Sequence, residues 1–193
     1  MIKTLSIIKN FTENKNIVLL GNSRSILINK KNINDFDIVC RINRGKPKDK
    51  EEFIGSRTDV LFLATRMTGE VIKQDFEPTY VVWTTECKKL ALPWVKENAI
   101  QNPPEDWRGL RSKLPSLPST GCVTINFLLK HINFKSLTIY GFNFFKDGTW
   151  YHDLMNQKWH CFKEEEILIK NMIKPFKNIK LIIENKGEYN ERT

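Results

Sequence analysis

The residues able to do chemistry fall into a few short clusters. His160 is followed five positions on by Glu165, inside the run Glu164-Glu165-Glu166, whose acids also suit a helix N-terminus. Gly21-Asn22-Ser23 ends an apolar run, so this turn can offer backbone N–H groups to a phosphate at a helix start. Ser119-Thr120-Gly121 precedes a helical stretch, with a plain N-cap at Ser119 or Thr120 as the simplest reading. Asp35-Phe36-Asp37 is a D-x-D pair of the kind that can hold a divalent metal. It lies just before a predicted strand, at the end remote from the ligand edge, and a turn is the better account. The sequence contains no GxGxxG and no GxxxxGK[ST], which argues against hydride transfer and P-loop chemistry. It also lacks HExxH and GxSxG. Cys40, Cys87, Cys122 and Cys161 form no CxxC pair and no Cys/His cluster of zinc spacing, so no metal site is expected.

These residues need a scaffold, and the pattern supplies strands alternating with helices. Apolar runs predict strands at 17–20, 37–42, 60–63, 80–83, 137–140 and 179–183. Helices are expected at 25–31, which is short, at 122–131, and at 164–176, where Ile167, Leu168, Met172 and Ile173 recur at helical spacing. Residues 98–118 hold Pro103, Pro104, Pro115 and Pro118 and read as an irregular loop or lid over one end of the sheet. Residues 142–159 read as a second irregular segment. The expected fold is α/β: a single Rossmann-like domain spanning residues 1–193, with a mostly parallel sheet flanked by helices. Ligands on such sheets sit beyond the carboxyl ends of the strands. Those ends carry Gly21-Asn22-Ser23, Arg41-Ile42-Asn43, Ala64-Thr65-Arg66 and Gly141-Phe142-Asn143.

Composition bounds the partners. The chain has 193 residues and a formal charge of +9, which favours an anionic partner: nucleic acid, a phosphate-bearing substrate or an acidic membrane face. The lysines are dispersed and form no long block, so the charge equally reads as plain composition. No run reaches signal-peptide or membrane-span length, and a cytoplasmic protein with free thiols is the simplest expectation.

Three blocks together resemble the sialyltransferases of glycosyltransferase family 29. The first is IVLLGNSRSIL, NDFDIVCRIN and GSRTDVLFL across 17–63, similar to the large sialylmotif. The second is PSTGCVTINFLLKH with SLTIYGF across 118–142, similar to the small sialylmotif. The third comprises His152 and His160-Cys-Phe-Lys-Glu-Glu165, similar to motif III and the very-small H-x-x-x-x-E motif. Together they span about 150 residues in the family's order. The bacterial family 42 enzymes share a GN turn and an [ST]SG helix start, and the chain also resembles them. It is expected to depart from family 29 in lacking a membrane anchor, and it reads Tyr151-His152-Asp153 at motif III. Cys40 and Cys122 are not clearly placed as that family's cysteine pair.

The resemblance implies a GT-A-like inverting transfer of a keto-acid sugar from a CMP-activated donor, CMP-Neu5Ac or CMP-Kdo. The acceptor would be a glycan or glycolipid hydroxyl, as in lipooligosaccharide or capsule. The work would be cytoplasmic, with peripheral contact to an anionic inner membrane face, no nucleic acid and no metal cofactor. CMP leaves as a monophosphate ester, which fixed hydrogen-bond donors can stabilise. In this reading His160 is the general base, and Glu165 orients its imidazole or caps the following helix. Asn22, Ser23, Asn43, Ser119, Thr120, Gly121, Asn143 and His152 bind the donor. The alternatives from other classes are a nucleic-acid-binding module and a non-catalytic CMP-sugar binder.

Overall fold

The first strand is apolar along its whole length because it is covered on both faces. Ile17 and Leu19 face one core and Val18 and Leu20 the other, all at most 1 % exposed. Such unbroken apolar runs mark parallel strands sandwiched between helices. A computed structural model describes residues 4–87, 89–144, 146, 148–151 and 160–184. The strands are β1 (Asn16–Leu20), β2 (Ile38–Ile42), β3 (Val60–Leu63), β4 (Tyr80–Trp83), β5 (Ile100–Gln101), β6 (Ser136–Tyr140) and β7 (Ile179–Ile182). The helices are α1 (Leu5–Thr12), α2 (Glu51–Ile54), α3 (Gly69–Asp75), α4 (Pro93–Asn98), α5 (Pro104–Arg111), α6 (Thr120–His131) and α7 (Phe162–Ile173).

The seven strands form one sheet in the order β5-β4-β3-β2-β1-β6-β7. Every neighbouring pair is parallel, with Leu20 beside both Arg41 and Tyr140. The chain therefore builds outward from β1 to β5, returns, and adds β6 and β7 on the other side of β1. The order reverses between β1 and β6, which is where an open α/β sheet leaves a crevice. Residues of α1, α5, α6 and α7 bury the face that carries Ile17, Cys40, Phe62 and Leu137. The opposite face is covered by α3 and α4 over Leu61 and Trp83, and by Ile26, Ile33 and Ile54 over Val18 and Val39.

The expected mostly parallel α/β fold is the observed one, but 98–118 is not an irregular loop. It contains β5 and α5. Pro103 occupies the N-cap and Pro104 the first turn of α5, where a missing N–H costs nothing and the fixed φ suits the helix. The amphipathic stretch expected at 164–176 is α7, starting and ending earlier. The helix expected at 25–31 is a single 3₁₀ turn, Arg24–Leu27, capped by Ser23 Oγ accepting from Ser25 N–H. All four cysteines are free thiols, and burial pushes those of Cys40 and Cys122 well above the usual thiol range. No helix among the described residues is long and apolar enough to cross a membrane.

Candidate functional site

At the reversal point the ends of β1 and β6 meet glycine to glycine. A Cβ on Gly21 would lie 2.3 Å from the Gly141 carbonyl oxygen, and one on Gly141, at φ +71°, would lie 2.9 Å from the Gly21 carbonyl. Neither position has room for a side chain. Phe142 then turns its ring between Gly21 and Gly121. A Cβ on either would stand 2.7 Å from a ring carbon. The three segments Gly21-Asn22-Ser23, Ser119-Thr120-Gly121 and Gly141-Phe142-Asn143 thus depend on one another sterically. Between them opens a cleft of about 110 Å³ that Asn22, Asn43, Thr120, Asn143, Tyr151 and Glu165 help to line.

Residues 149–151 strap the first turn from above. Thr149 forms an antiparallel bridge with Ser23, and its carbonyl accepts from Arg24 Nε at 3.2 Å. Trp150 N–H donates to the Asn22 carbonyl at 3.2 Å. Asn22 Nδ2 donates to the Ile42 carbonyl at 2.9 Å and to the Tyr151 hydroxyl at 3.1 Å. Its Oδ1 is buried without a partner among the described residues. That atom sits against Gly45, whose Cβ would come within 2.2 Å of it. Burial pushes the Tyr151 phenol above its usual range, opposed by the Asn22 hydrogen bond and the positive charge of Arg44.

Asn43 ends β2 at φ +50°, a conformation that Asn tolerates better than most residues. Its Oδ1 accepts from Ala64 N–H at 2.9 Å, and its Nδ2 donates to Thr120 Oγ1 at 3.1 Å. Asn43 therefore ties the end of β3 to the start of α6 across the cleft wall. Two residues earlier, Arg41 is 1 % exposed. Its Nη2 donates to the carbonyls of Ile54, Gly55 and Arg57 at 2.7, 2.8 and 2.9 Å, and its Nε to Thr58 Oγ1 at 3.0 Å. Burial lowers its pKa to about 10, opposed by Asp59 and Glu51. The R-I-N and G-S-R-T segments are thus one clamp, with an arginine folding the loop before β3 onto β2.

The start of α6 is held by an acid from α7. Ser119 N–H donates to Glu165 Oε1 and Ser119 Oγ–H to Glu165 Oε2, both at 2.6 Å, while Ser119 Oγ accepts from Cys122 N–H at 3.2 Å. Both sides of the capping hydroxyl are used. The first-turn N–H groups of Thr120 and Gly121 have no acceptor within the helix, and both residues line the cleft. Glu165 is 2 % exposed, and burial raises its pKa against the pull of Ser119 and His160. His160 lies alongside, its Nδ1 2.8 Å from the Leu117 carbonyl and 4.0 Å from Glu165 Oε1. A carbonyl only accepts, so the neutral ring carries its proton on Nδ1 and its lone pair on Nε2.

The structure therefore brings Asn22, Ser23, Asn43, Ser119, Thr120, Gly121, Asn143 and Glu165 to one cleft, with His160 beside Glu165. Glu165 reaches back to the cap of α6 through Ser119, and His160 Nδ1 lies 4.0 Å from its Oε1. The Ser23 hydroxyl turns to Ser25, at 2.7 Å. His152 lies outside the described residues. Asp37 Oδ2 accepts from Asn16 N–H at 2.8 Å and Nδ2 at 3.1 Å, at the sheet edge opposite the cleft. Sequence reasoning missed Tyr151 and Gly45. Neither carries a local signal, since each matters only through Asn22, which is distant from both in sequence.

No family model and no curated protein matches the sequence. Solved structures do match in fold. A mammalian sialyltransferase superposes with a TM-score of 0.59 at 18% identity, over 88% of this chain and 69% of that one. A mammalian sialyltransferase in complex with Gal-beta-1-3GalNAc-ortho-nitrophenol gives 0.59 and 18%, over 90% and 71%. The Campylobacter jejuni sialyltransferase CstII in complex with cytidine-5'-monophosphate gives 0.60 and 16%, over 91% of this chain and 82% of that one. At such identities the likeness is one of fold.

Proposed function

We propose that this chain is a CMP-sugar-dependent glycosyltransferase that moves a keto-acid sugar, sialic acid or Kdo, to a hydroxyl of a surface glycan with inversion. The observation that carries the reading is the convergence at one cleft of a helix N-terminus, three asparagines and Glu165, with His160 Nδ1 4.0 Å from that carboxylate. The fold shared with a sialyltransferase solved in complex with cytidine monophosphate supports it.

Each group has a task in that reaction. The donor phosphate and carboxylate are anions, and the Thr120 and Gly121 N–H groups offer fixed donors at the positive end of α6. Glu165 and Asn43 keep that helix start in place, one through Ser119 and the other through Thr120. As the bond from the anomeric carbon to the phosphate oxygen breaks, charge grows on CMP, and preorganised N–H and O–H donors stabilise it. The Tyr151 hydroxyl, held by Asn22, is one such donor. The acceptor oxygen bonds to the anomeric carbon from the opposite face, and its proton passes to His160 Nε2. A positioned base of this kind contributes about 10²–10⁴-fold. No metal is assigned a part. Docking on an anionic cytoplasmic leaflet would bring the enzyme to a glycolipid acceptor.

The test is release of CMP from CMP-Neu5Ac and from CMP-Kdo, with and without acceptor, in EDTA. The expected result is metal-independent release stimulated by acceptor, and a His160→Ala variant that binds CMP but loses about 10²–10⁴-fold in transfer. No release from either donor together with no thermal shift by CMP would refute the reading. Full transfer by His160→Ala would refute the base assignment.

A further inference from the structure

We infer that Arg44 and Arg66 form an anion subsite on the rim of the cleft that reads a carboxylate or phosphate carried by the acceptor. This inference rests on the transfer reading above and names the acceptor class: a glycan with an acidic group close to the accepting hydroxyl.

The placement follows from the strand ends. Asn43, at φ +50°, turns the chain as it leaves β2, and the next residue, Arg44, stands exposed on the rim. Arg66 is exposed beyond the end of β3, the neighbouring strand. Arg44 Nη2 donates to the Arg66 carbonyl at 3.3 Å, which holds its guanidinium towards Arg66 and leaves its other N–H groups for a ligand. On its other side Arg44 is close enough for its charge to act on the Tyr151 hydroxyl, which hydrogen-bonds Asn22 in the cleft wall. Arg44 thus lies next in sequence to the cleft residue Asn43 and is tied to the segment after β3 that carries Arg66.

Neither arginine is committed to an ion pair among the described residues, and both stand beside the cleft residue Asn43 and the end of β3. Among the described residues Lys30, Lys31, Lys46, Arg57, Arg108, Lys130, Lys146 and Lys170 each have a carboxylate within 4.0 Å. Neither Arg44 nor Arg66 does, although two guanidinium groups carried by neighbouring strand ends repel one another. The groups assigned to the donor's own anions lie inside the cleft: the α6 N-terminus, the asparagines and the Tyr151 hydroxyl. The rim cations are then left for an anion that arrives with the acceptor. Guanidinium forks suit carboxylate and phosphate geometry.

The experiment compares a lactoside with the same lactoside carrying a terminal sialic acid, and with its 6-phosphate, using CMP-Neu5Ac as donor. Wild type should favour both acidic acceptors, with a preference that fades in about 0.5 M NaCl, where the screening length is only a few ångströms. R44Q, R66Q and the double variant should raise KM for the acidic acceptors about tenfold, with KM for the neutral one unchanged. Donor hydrolysis without acceptor should keep the wild-type KM. Both residues are exposed, so the melting temperature should stay at the wild-type value. Three results would overturn the subsite: equal use of neutral and acidic acceptors by wild type, an undiminished preference in the double variant, or a raised donor KM in hydrolysis, which would give the arginines to the donor. Absence of CMP release from either CMP sugar overturns the transfer reading instead. Calorimetric binding of the sialylated lactoside against the neutral one, wild type against the double variant, then decides the subsite by itself.

Discussion

Glu165 makes the sharpest test of how the site is held together. Replacing it by Ala removes two short hydrogen bonds to Ser119, both at 2.6 Å, from a side chain that is 2 % exposed. Hydrogen bonds to a charged partner contribute about 1.5–3 kcal/mol each. Burial of the carboxylate opposes them, and its raised pKa reports that opposition. Losing the side chain relieves that penalty but leaves the Ser119 N–H buried without an acceptor, so the net cost should be about 2–4 kcal/mol. In a domain of this size that lowers Tm by about 5–15 °C. Glu165→Gln keeps one acceptor oxygen and should lose much less. The pH dependence carries a sign. A carboxyl whose folded pKa is raised contributes stability below its unfolded pKa and loses it as pH rises through the folded value. Wild type should therefore lose stability relative to Glu165→Gln as pH rises from about 4.5. Thermal melts of the three proteins across that range measure it. A Glu165→Ala protein that melts with wild type, or a wild-type-minus-Gln difference that is flat or grows more favourable with pH, would refute the reasoning.

Other outcomes follow from the same contacts. Arg41→Lys keeps the charge but cannot reach the carbonyls of Ile54, Gly55 and Arg57 and the Thr58 hydroxyl together, and should cost about 2–4 kcal/mol in urea unfolding. Gly21→Ala drives a Cβ into a carbonyl oxygen at 2.3 Å and should destabilise by about 3 kcal/mol or prevent folding. Gly109→Ala, inside α5 with nothing within 4 Å, should stabilise by up to about 1 kcal/mol, which separates the steric effect from helix propensity. Tyr151→Phe removes the hydroxyl that Asn22 meets and should raise the donor KM about tenfold in the CMP-release assay, with little change in Tm.

The sheet was legible in the sequence because parallel strands are buried on both sides. Apolar runs such as Val60–Leu63 and Tyr80–Trp83 stand out without context, and the observed strands have those bounds. The site segments were legible for a related reason. Glycine and asparagine at strand ends mark turns, and Ser119 before an apolar helix marks a cap. The helix α5 was hidden because Pro103 and Pro104, which break structure elsewhere, begin a helix here. The two-residue β5 is too short to show any pattern.

What local pattern left open was which partner each functional side chain would take. Glu165 was legible as an acid near a histidine, yet its choice of Ser119 depends on α7 packing beside α6. Arg41 was legible as part of a strand end, but its burial among loop carbonyls needs the turn before β3 to fold back over β2. The order of the strands decided the rest. Adding β6 beside β1 and not beside β5 places Gly141 against Gly21 and seats Phe142 between Gly21 and Gly121. Residues more than a hundred positions apart become one cleft because two parallel strands end at the same height. Residue types and turn positions are local properties that a sequence carries by itself. Which turns share a rim, and which hydrogen bonds remain for a ligand, follow from packing across the sheet.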